Sequence, residues 1–263
     1  MTLLPAYTLW RREIVRFFRQ PSRVVGAAGT PLLFWLLLGS GLKGSFRLPG
    51  GPAGLDYLEY FFPGTVVLVL LFAAIFSTIS VIEDRHEGFL QGVLVAPVSR
   101  VAIVAGKVLG GATLAWIQGV VFLALAPLSG IRLTLGSALA AAGILAVLAV
   151  SLTAIGFAFA WALDSVQGFH AIMNLVLIPM WLLSGAFFPL SGAPLWLSVL
   201  MRANPLTYGV AALRWVLYGP EAQLGSGVPG PALSIAATAV IGLVVLGIDL
   251  LVTRGGRVES WRG

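Results

Sequence analysis

Five ionisable side chains lie together in one short stretch, residues 83–91, which reads EDRHEGFLQ. Charges are sparse in the chain as a whole, with 16 Lys and Arg and 10 Asp and Glu among 263 residues. The stretch follows one long apolar run and precedes another that begins near Lys107. Because a charge inside hydrocarbon costs a few kcal/mol or more, it marks a surface in contact with water. On the residues alone, a docking surface and a solvated turn are equally favoured.

Residue patterns for catalysis or metal binding are missing. Gly106-Lys107 is followed by valine and lacks the upstream glycine of a phosphate-binding loop. His-Glu-x-x-His and Gly-x-Ser-x-Gly motifs do not occur. The absence of cysteine excludes disulfides, thiolate metal sites and a cysteine nucleophile. Two histidines, His86 and His170, are too far apart in the sequence to suggest a metal site. We therefore predict no catalytic residue, metal or cofactor in this chain.

The acidic residues outside the stretch have structural explanations. Asp56 and Glu59 come at the start of an apolar run, where the helix dipole favours negative charge. Asp164 can cap the helix that follows it, and Asp249 lies five residues before Arg254. A proton relay needs acids near the middle of the bilayer, and none of these is clearly there.

The composition is that of a membrane protein. Hydrophobic residues make up 59% of the chain, charged residues 10%, and the mean hydropathy is +0.98. A soluble domain has about 25% charged residues. The sequence pI is near 10.3, but the basic residues are divided among separate loops, which argues against nucleic-acid binding.

Six apolar runs approach or exceed the roughly 20 residues that a membrane-spanning helix needs. They are 24–42, 60–82, 108–128, 135–163, 169–188 and 233–253. Eleven Lys and Arg residues flank these runs on one side and five on the other. The richer side, which includes both termini, should be cytoplasmic. We predict an all-α protein of the cytoplasmic (inner) membrane, with a single six-span domain over residues 1–263.

The residues before the first run, 7–20, predict a basic amphipathic helix. Its apolar face carries Trp10, Ile14, Phe17 and Phe18. Its basic face carries Arg11, Arg12, Arg16 and Arg19. Aromatic residues opposite a basic face are typical of a helix that lies among lipid headgroups. The alternative is an ordinary positively charged flank of the first span.

Two further segments depart from simple spanning. In 83–95 we predict a short cytoplasmic helix with Glu83, Asp84 and Glu87 in its first turn, where the dipole favours them. Ser99 should cap the next helix. The segment 189–218 is apolar but interrupted by prolines, and its pieces are too short to span, which predicts a re-entrant hairpin on the outer face. There Arg214 should snorkel outward or face a wet cavity.

Two motifs resemble those of the membrane subunits of ABC-2-type exporters. The first is Glu83 to Leu90, then Pro97-Val98-Ser99-Arg100, then Gly106-Lys107. The second is Leu183-Ser184-Gly185-Ala186-Phe187-Phe188-Pro189-Leu190, then Asn204-Pro205-Leu206-Thr207-Tyr208 and Arg214. The resemblance covers nearly the whole chain. It is strongest to the drug-resistance and lipo-oligosaccharide export branches, which these motifs do not separate.

The resemblance implies a transport subunit driven by a separate ATPase. The 83–95 segment would contain the coupling helix, and 7–20 would be the connecting helix. ATPase contacts would come from Glu83, Asp84, Arg85 and Glu87, while Phe89 and Leu90 would anchor the helix to the bundle. The outer hairpin would be marked by Pro189, Asn204, Pro205, Tyr208 and Arg214. Two membrane subunits, expected to be a homodimer, would work with two ATPases that bind ATP and Mg.

Two alternatives remain at the level of the sequence. An ATP-independent secondary transporter or channel would show an inverted repeat and buried ionisable residues. A membrane scaffold would use the same basic surfaces without a continuous path. Uptake driven by an ion gradient would indicate the first alternative, and ATPase binding without transport would indicate the second.

Overall fold

The computed structural model describes residues 3–42, 56–219 and 230–254, which are helical and contain no strand. The α-helices are α1 (Leu3–Phe18), α2 (Pro21–Gly41), α3 (Tyr57–His86), α4 (Phe89–Val95), α5 (Arg100–Leu123), α6 (Leu135–Ala162), α7 (Val166–Trp181), α8 (Leu195–Ala203), α9 (Pro205–Tyr218) and α10 (Pro231–Arg254). Short 3-10 turns at Ala126–Ser129 and Leu190–Gly192 and a π-turn at Leu182–Ala186 complete the described parts. The prediction of an all-α membrane protein is confirmed.

Five helical segments are long and apolar enough to cross a membrane. They are Tyr57–His86, Arg100–Leu123, Leu135–Ala162, Val166–Ala186 and Pro231–Thr253. Each overlaps one of the predicted runs from 60–82 onward. The first predicted run, 24–42, falls on α2, whose apolar part Val25–Gly41 is shorter than these five. Five candidate spans are therefore established, and the sixth stays a prediction.

α3 is the centre of the bundle. It is almost entirely buried and packs against α2, α5, α6 and α7. Its sequence is apolar all round, as expected for a helix enclosed by others. Near its N-terminal end, Phe62 stacks on Phe122, and Trp35 of α2 meets both rings edge to face. By contrast α10 leaves most of its apolar surface exposed, which suits a helix that faces lipid.

The helix ends show which capping predictions were right. Ser99 caps α5 as predicted, because its side chain accepts a hydrogen bond from the amide of Ala102. The prediction that Asp164 caps the following helix is wrong. The cap of α7 is Ser165, whose hydroxyl accepts from the amide of Gly168. Asp164 instead accepts a hydrogen bond from Arg85.

Small residues allow α3 to approach the end of α7 closely. A Cβ atom at Gly64 would lie 2.3 Å from the Cβ of Ala186 and 2.8 Å from its Cα. At the same level the indole of Trp181 donates to the carbonyl oxygen of Gly64 at 2.7 Å. The close contact between α3 and the π-turn therefore depends on the absence of a side chain at Gly64.

We expect Gly64→Ala to lower the free energy of unfolding by about 1–3 kcal/mol, because the two segments must separate to admit the methyl group. Equilibrium unfolding in mixed micelles measures this change. Gly143→Ala is the matched control, since Gly143 is exposed on α6 with no atom within 4 Å of its added Cβ. It should gain up to about 1 kcal/mol from helix propensity. Equal changes in the free energy of unfolding for the two variants would contradict the close contact at Gly64.

Candidate functional site

The charged stretch lies where α3 ends, and not at the start of a new helix. α3 continues through Glu83 and Asp84 to His86, and Gly88, with φ of 77°, separates it from α4. The predicted first turn at Glu83 is therefore wrong. The helix formed by the preceding apolar run continues for one more turn and includes these charged residues. Acidic residues at a helix C-terminus oppose its dipole, so this end needs cations from elsewhere in the chain.

Those cations converge on Asp84, which is completely buried. The guanidinium of Arg12 donates to both carboxylate oxygens at 2.7 Å, and Arg16 donates to one of them at 2.5 Å. Lys107 of α5 donates to the same carboxylate. Burial lowers the pKa of Arg12, but hydrogen bonding and charge attraction from Asp84 outweigh this, so the pKa is raised overall. Three elements, α1, α3 and α5, thus meet at one carboxylate.

A second carboxylate lies behind the first. Glu13 of α1 is 4% exposed, and its Oε1 accepts a hydrogen bond from the Nζ of Lys107 at 2.5 Å. Its Oε2 accepts from the hydroxyl of Ser80 at 2.5 Å. We call Arg12, Glu13, Arg16, Asp84 and Lys107 the ionic cluster. Glu13 was not among the predicted site residues. Its position four residues after Leu9 and four before Phe17, on the buried stripe of α1, was the signal that it is enclosed.

Arg85 points away from the ionic cluster, towards the end of α6. Its guanidinium donates to the carbonyl oxygens of Trp161 at 2.8 Å and Leu163 at 2.9 Å, and to Asp164 at 2.7 Å. Carbonyls at a helix C-terminus have no partner within their own helix, so Arg85 satisfies them from α3. Its side chain is 5% exposed.

The predicted ATPase contacts therefore divide into two groups. Asp84 and Arg85 are directed into the chain and have almost no surface for a partner. Glu83, with its side chain 24% exposed, pairs with Arg16 at 2.9 Å, and Glu87, 57% exposed, lies 3.2 Å from Arg16. Leu90 is buried against the bundle, and the half-buried ring of Phe89 carries the Arg12 guanidinium 3.7 Å above its centre.

The surface next to the ionic cluster is open. We call its exposed residues the junction face; they are His86, Glu87, Gln91, Gly92 and Val95. An open cleft of about 490 Å³ adjoins it. The cleft is lined by Arg12, Val15, Arg16, Arg19, Gln20 and Glu87.

α1 lies along α5. Its buried residues are Leu9, Glu13 and Phe17, and the indole of Trp10 donates to the hydroxyl of Thr113 at 3.1 Å. Arg11 is exposed on the opposite side. The helix spans Leu3–Phe18 where 7–20 was predicted, and two of its predicted basic residues, Arg12 and Arg16, turn to α3. A location among lipid headgroups stays a prediction.

The second motif forms a tight structure around a kink after α7. Gly185 has φ of 80° within the π-turn, a conformation that favours glycine. Its carbonyl oxygen accepts from the hydroxyl of Tyr60 at 2.8 Å and from Arg214 at 2.7 Å. Arg214 also donates to the carbonyl of Tyr60 and stacks 4.0 Å above its ring. The prediction that Arg214 snorkels outward or faces a cavity is wrong, because it is buried among carbonyls and an aromatic ring.

The other residues of this motif shape the helices around the kink. Pro189 precedes the 3-10 turn, and Pro205 begins α9. The side chain of Asn204 accepts from the amide of Leu206 and donates to the carbonyl of Met180. Tyr208 donates to the carbonyl of Arg202 at 2.9 Å. They fix α8 and α9 to each other and to the end of α7.

The family model described as ABC-2 type transporter matches residues 6–218, which include both motifs and end where α9 ends. This chain belongs to the ABC-2 type transporter family. The predicted resemblance is confirmed, and the chain is an integral membrane transport permease.

Relatives of this ABC-2 permease are named as permeases in several organisms. A putative transport permease, ycf38, of Cyanophora paradoxa is 29% identical over 84% of this chain and 76% of its own length. The inner membrane transport permease YadH of Escherichia coli K12 is 26% identical over 81% of this chain and 82% of its own. The daunorubicin resistance permease DrrB1 of Streptomyces coeruleorubidus is 24% identical, covering 80% and 74%.

Proposed function

We propose that this permease is the membrane subunit of an ATP-driven exporter and that a separate ABC ATPase docks on the junction face. The observation that carries the proposal is the construction of that face. α4 is held to the bundle by buried Leu90, while Glu87, Gln91 and Val95 on or beside it remain exposed. A short helix that is packed against the bundle on one side and exposed on the other is suited to a groove in a partner.

The complete assembly would contain two copies of this chain and two ATPases. α2 would supply the sixth span, with both termini on the cytoplasmic side of the cell membrane. ATP binding, with Mg, would draw the ATPases together, and the 83–95 segment would move with them. The spans would then rock between two states, which is a population shift driven by differential nucleotide binding. ATP hydrolysis would occur in the partner, with no catalytic residue in this chain.

The substrate would be amphipathic, drug-like or lipid-linked. α8 and α9 would form the re-entrant outer hairpin and cover the exit, since α8 has 9 residues and α9 has 14, too few to span. The printed name of the Streptomyces relative, a daunorubicin resistance permease, supports a drug-like substrate. The apolar spans also suit such a molecule better than a free ion.

The test is co-purification with an ATPase encoded beside this chain, using a tag on the permease. The variant Glu87→Ala/Gln91→Ala/Val95→Ala should lose the ATPase or the effect of the permease on ATP hydrolysis. Glu83→Ala/Glu87→Ala should weaken both. The matched control Leu128→Ala/Arg132→Ala/Leu135→Ala changes three exposed residues of the segment 128–135, which ends at the first residue of α6, and should retain the ATPase. Full retention by the first variant would sink the docking proposal.

One residue favours the ATP-independent alternative. Asp249 of α10 is completely buried, and neither carboxylate oxygen has a hydrogen-bond partner within the part of the chain that the structure describes. Ionisable groups inside spans mark proton or ion pathways in many transporters. Proton-driven uptake by the permease alone in vesicles, lost in Asp249→Asn, would establish this second function.

A further inference from the structure

We propose that Lys107 is a positioning residue for the transport cycle. With Glu13 and Asp84 it holds α1, the end of α3 and the start of α5 together as one rigid body, which carries the ATP-driven movement into the spans. The second half of this inference rests on the proposed function. The first half concerns the permease alone.

α1 packs so closely on α5 that the two helices cannot slide past each other. A Cβ atom at Gly106 would lie 2.6 Å from the Cβ of Leu9, and one at Gly110 would lie 2.8 Å from the Cβ of Glu13. The two helices thus touch backbone to side chain along successive turns of α5. Closely packed segments of this kind exchange between discrete arrangements and do not deform continuously.

The buried charges add a free-energy penalty for separating the three helices. The side chain of Lys107 is 2% exposed and has a carboxylate on each side, Glu13 from α1 and Asp84 from α3. Moving any one helix away would leave a buried charge without its counter-charge, which is far more costly than losing an apolar contact. Ser80 of α3 closes the set, because its hydroxyl donates to Glu13 and accepts from Lys107.

A role beyond stability follows from what such clusters contribute. Replacing a complete buried ion pair with well-packed apolar groups is often neutral or stabilising, so stability alone does not account for its presence. Fixing the register of packed helices is the best-attested use of buried polar groups.

The ionic cluster is also connected to the junction face. Arg16 donates to Asp84 inside the cluster and to Glu83 and Glu87 at its edge. A displacement of Glu87 and α4 is thereby passed through Arg16 and Asp84 to Lys107. α3 and α5, two of the candidate spans, would move with α1 as a unit.

The experiment measures distances between spin labels in the complex with the ATPase. Because the chain has no cysteine, pairs of introduced cysteines report without background. One pair, at Arg11 and Leu109, lies within the proposed rigid body; the other, at Val101 and Leu251, joins α5 to α10, and all four residues are exposed. On trapping with ATP and vanadate, the first distance should stay constant and the second should shift by at least about 2 Å. A change in the first pair as large as in the second would overturn the proposal.

Variants of the ionic cluster distinguish a positioning role of Lys107 from a role in folding. The neutral pair Glu13→Gln/Lys107→Met leaves no lone charge at these two positions and should fold and retain the ATPase, yet lose the shift of the second label pair. Lys107→Arg keeps the charge and should retain most of that shift. A full shift in the neutral pair would show that the cluster is only structural.

The claim that Lys107 holds α1, α3 and α5 together as one rigid body can be tested on the permease alone. Without ATPase, the Arg11–Leu109 distance distribution should be narrow in the wild type and in Lys107→Arg, and several-fold broader in the neutral pair. A narrow distribution in all three would refute the role of Lys107. A wild-type permease that never retains an ATPase would instead refute the proposed function, and this measurement would still stand.

Discussion

Asp84→Asn should lower the free energy of unfolding of the permease by about 3–5 kcal/mol, which is the usual cost of breaking a buried ion pair on one side. The substitution keeps the shape of the side chain but removes the charge on which Arg12, Arg16 and Lys107 converge. Lys107 would then have Glu13 as its remaining carboxylate partner in the ionic cluster. Equilibrium unfolding in mixed micelles, followed by tryptophan fluorescence, measures the loss.

The matched control for this substitution is Glu87→Gln, three residues further along. Glu87 also faces Arg16, at 3.2 Å, but its side chain is 57% exposed. Exposed pairs contribute less than about 1 kcal/mol, so the control should unfold almost like the wild type. A similar loss in both variants would mean that burial does not set the importance of Asp84.

Arg214→Met should cost about 2–4 kcal/mol, because charge-assisted hydrogen bonds to the carbonyls of Gly185 and Tyr60 and the stacking on Tyr60 are lost together. The carbonyl of Gly185 would keep the hydroxyl of Tyr60 as a partner. The fixed position of α9 on α3 should loosen, which protease digestion of the 189–218 segment would reveal.

Two further variants test whether the contacts of Arg214 cause the loss of stability. Arg214→Lys retains a charge that reaches one carbonyl at a time, so it should recover only part of the loss. Arg202→Met changes an exposed arginine on the neighbouring α8, and its effect should stay within about 0.5 kcal/mol. If Arg202→Met were as damaging as Arg214→Met, the contacts at Gly185 would not be the cause.

Hydropathy and capping predicted the elements well. The run at 60–82 becomes the most enclosed helix, and Ser99 caps α5 because the hydroxyl needs only a local amide. The cap at Asp164 was misplaced by one residue, since Ser165 offers the same chemistry and Arg85 competes for the carboxylate. Local signals of this kind fix the type of an element better than its last residue.

The direction of the charges was the part that the sequence did not reveal. Glu83, Asp84, Arg85 and Glu87 lie within five consecutive positions, yet two are buried in different directions and two reach the surface. A helix turns about 100° per residue, so neighbours in the sequence face different partners. Which partners they meet depends on α1 and α6, which are distant in the chain. Glu13 was not predicted, although its spacing of four residues from Leu9 and from Phe17 agrees with the buried stripe that the structure shows.

The ionic cluster also sets an order for biosynthesis. Lys107 follows Glu13 by 94 residues, and at about 5–20 residues per second its synthesis comes roughly 5–20 s later. During that interval Glu13, and Asp84 once it has been made, lack the ammonium group that joins them, while the arginines of α1 are already present. We therefore expect the nascent chain to keep Glu13 and Asp84 near water until α5 has been made. Completion of this junction therefore waits for the synthesis of α5, and in a nascent chain stalled before Lys107 we expect protease to reach α1.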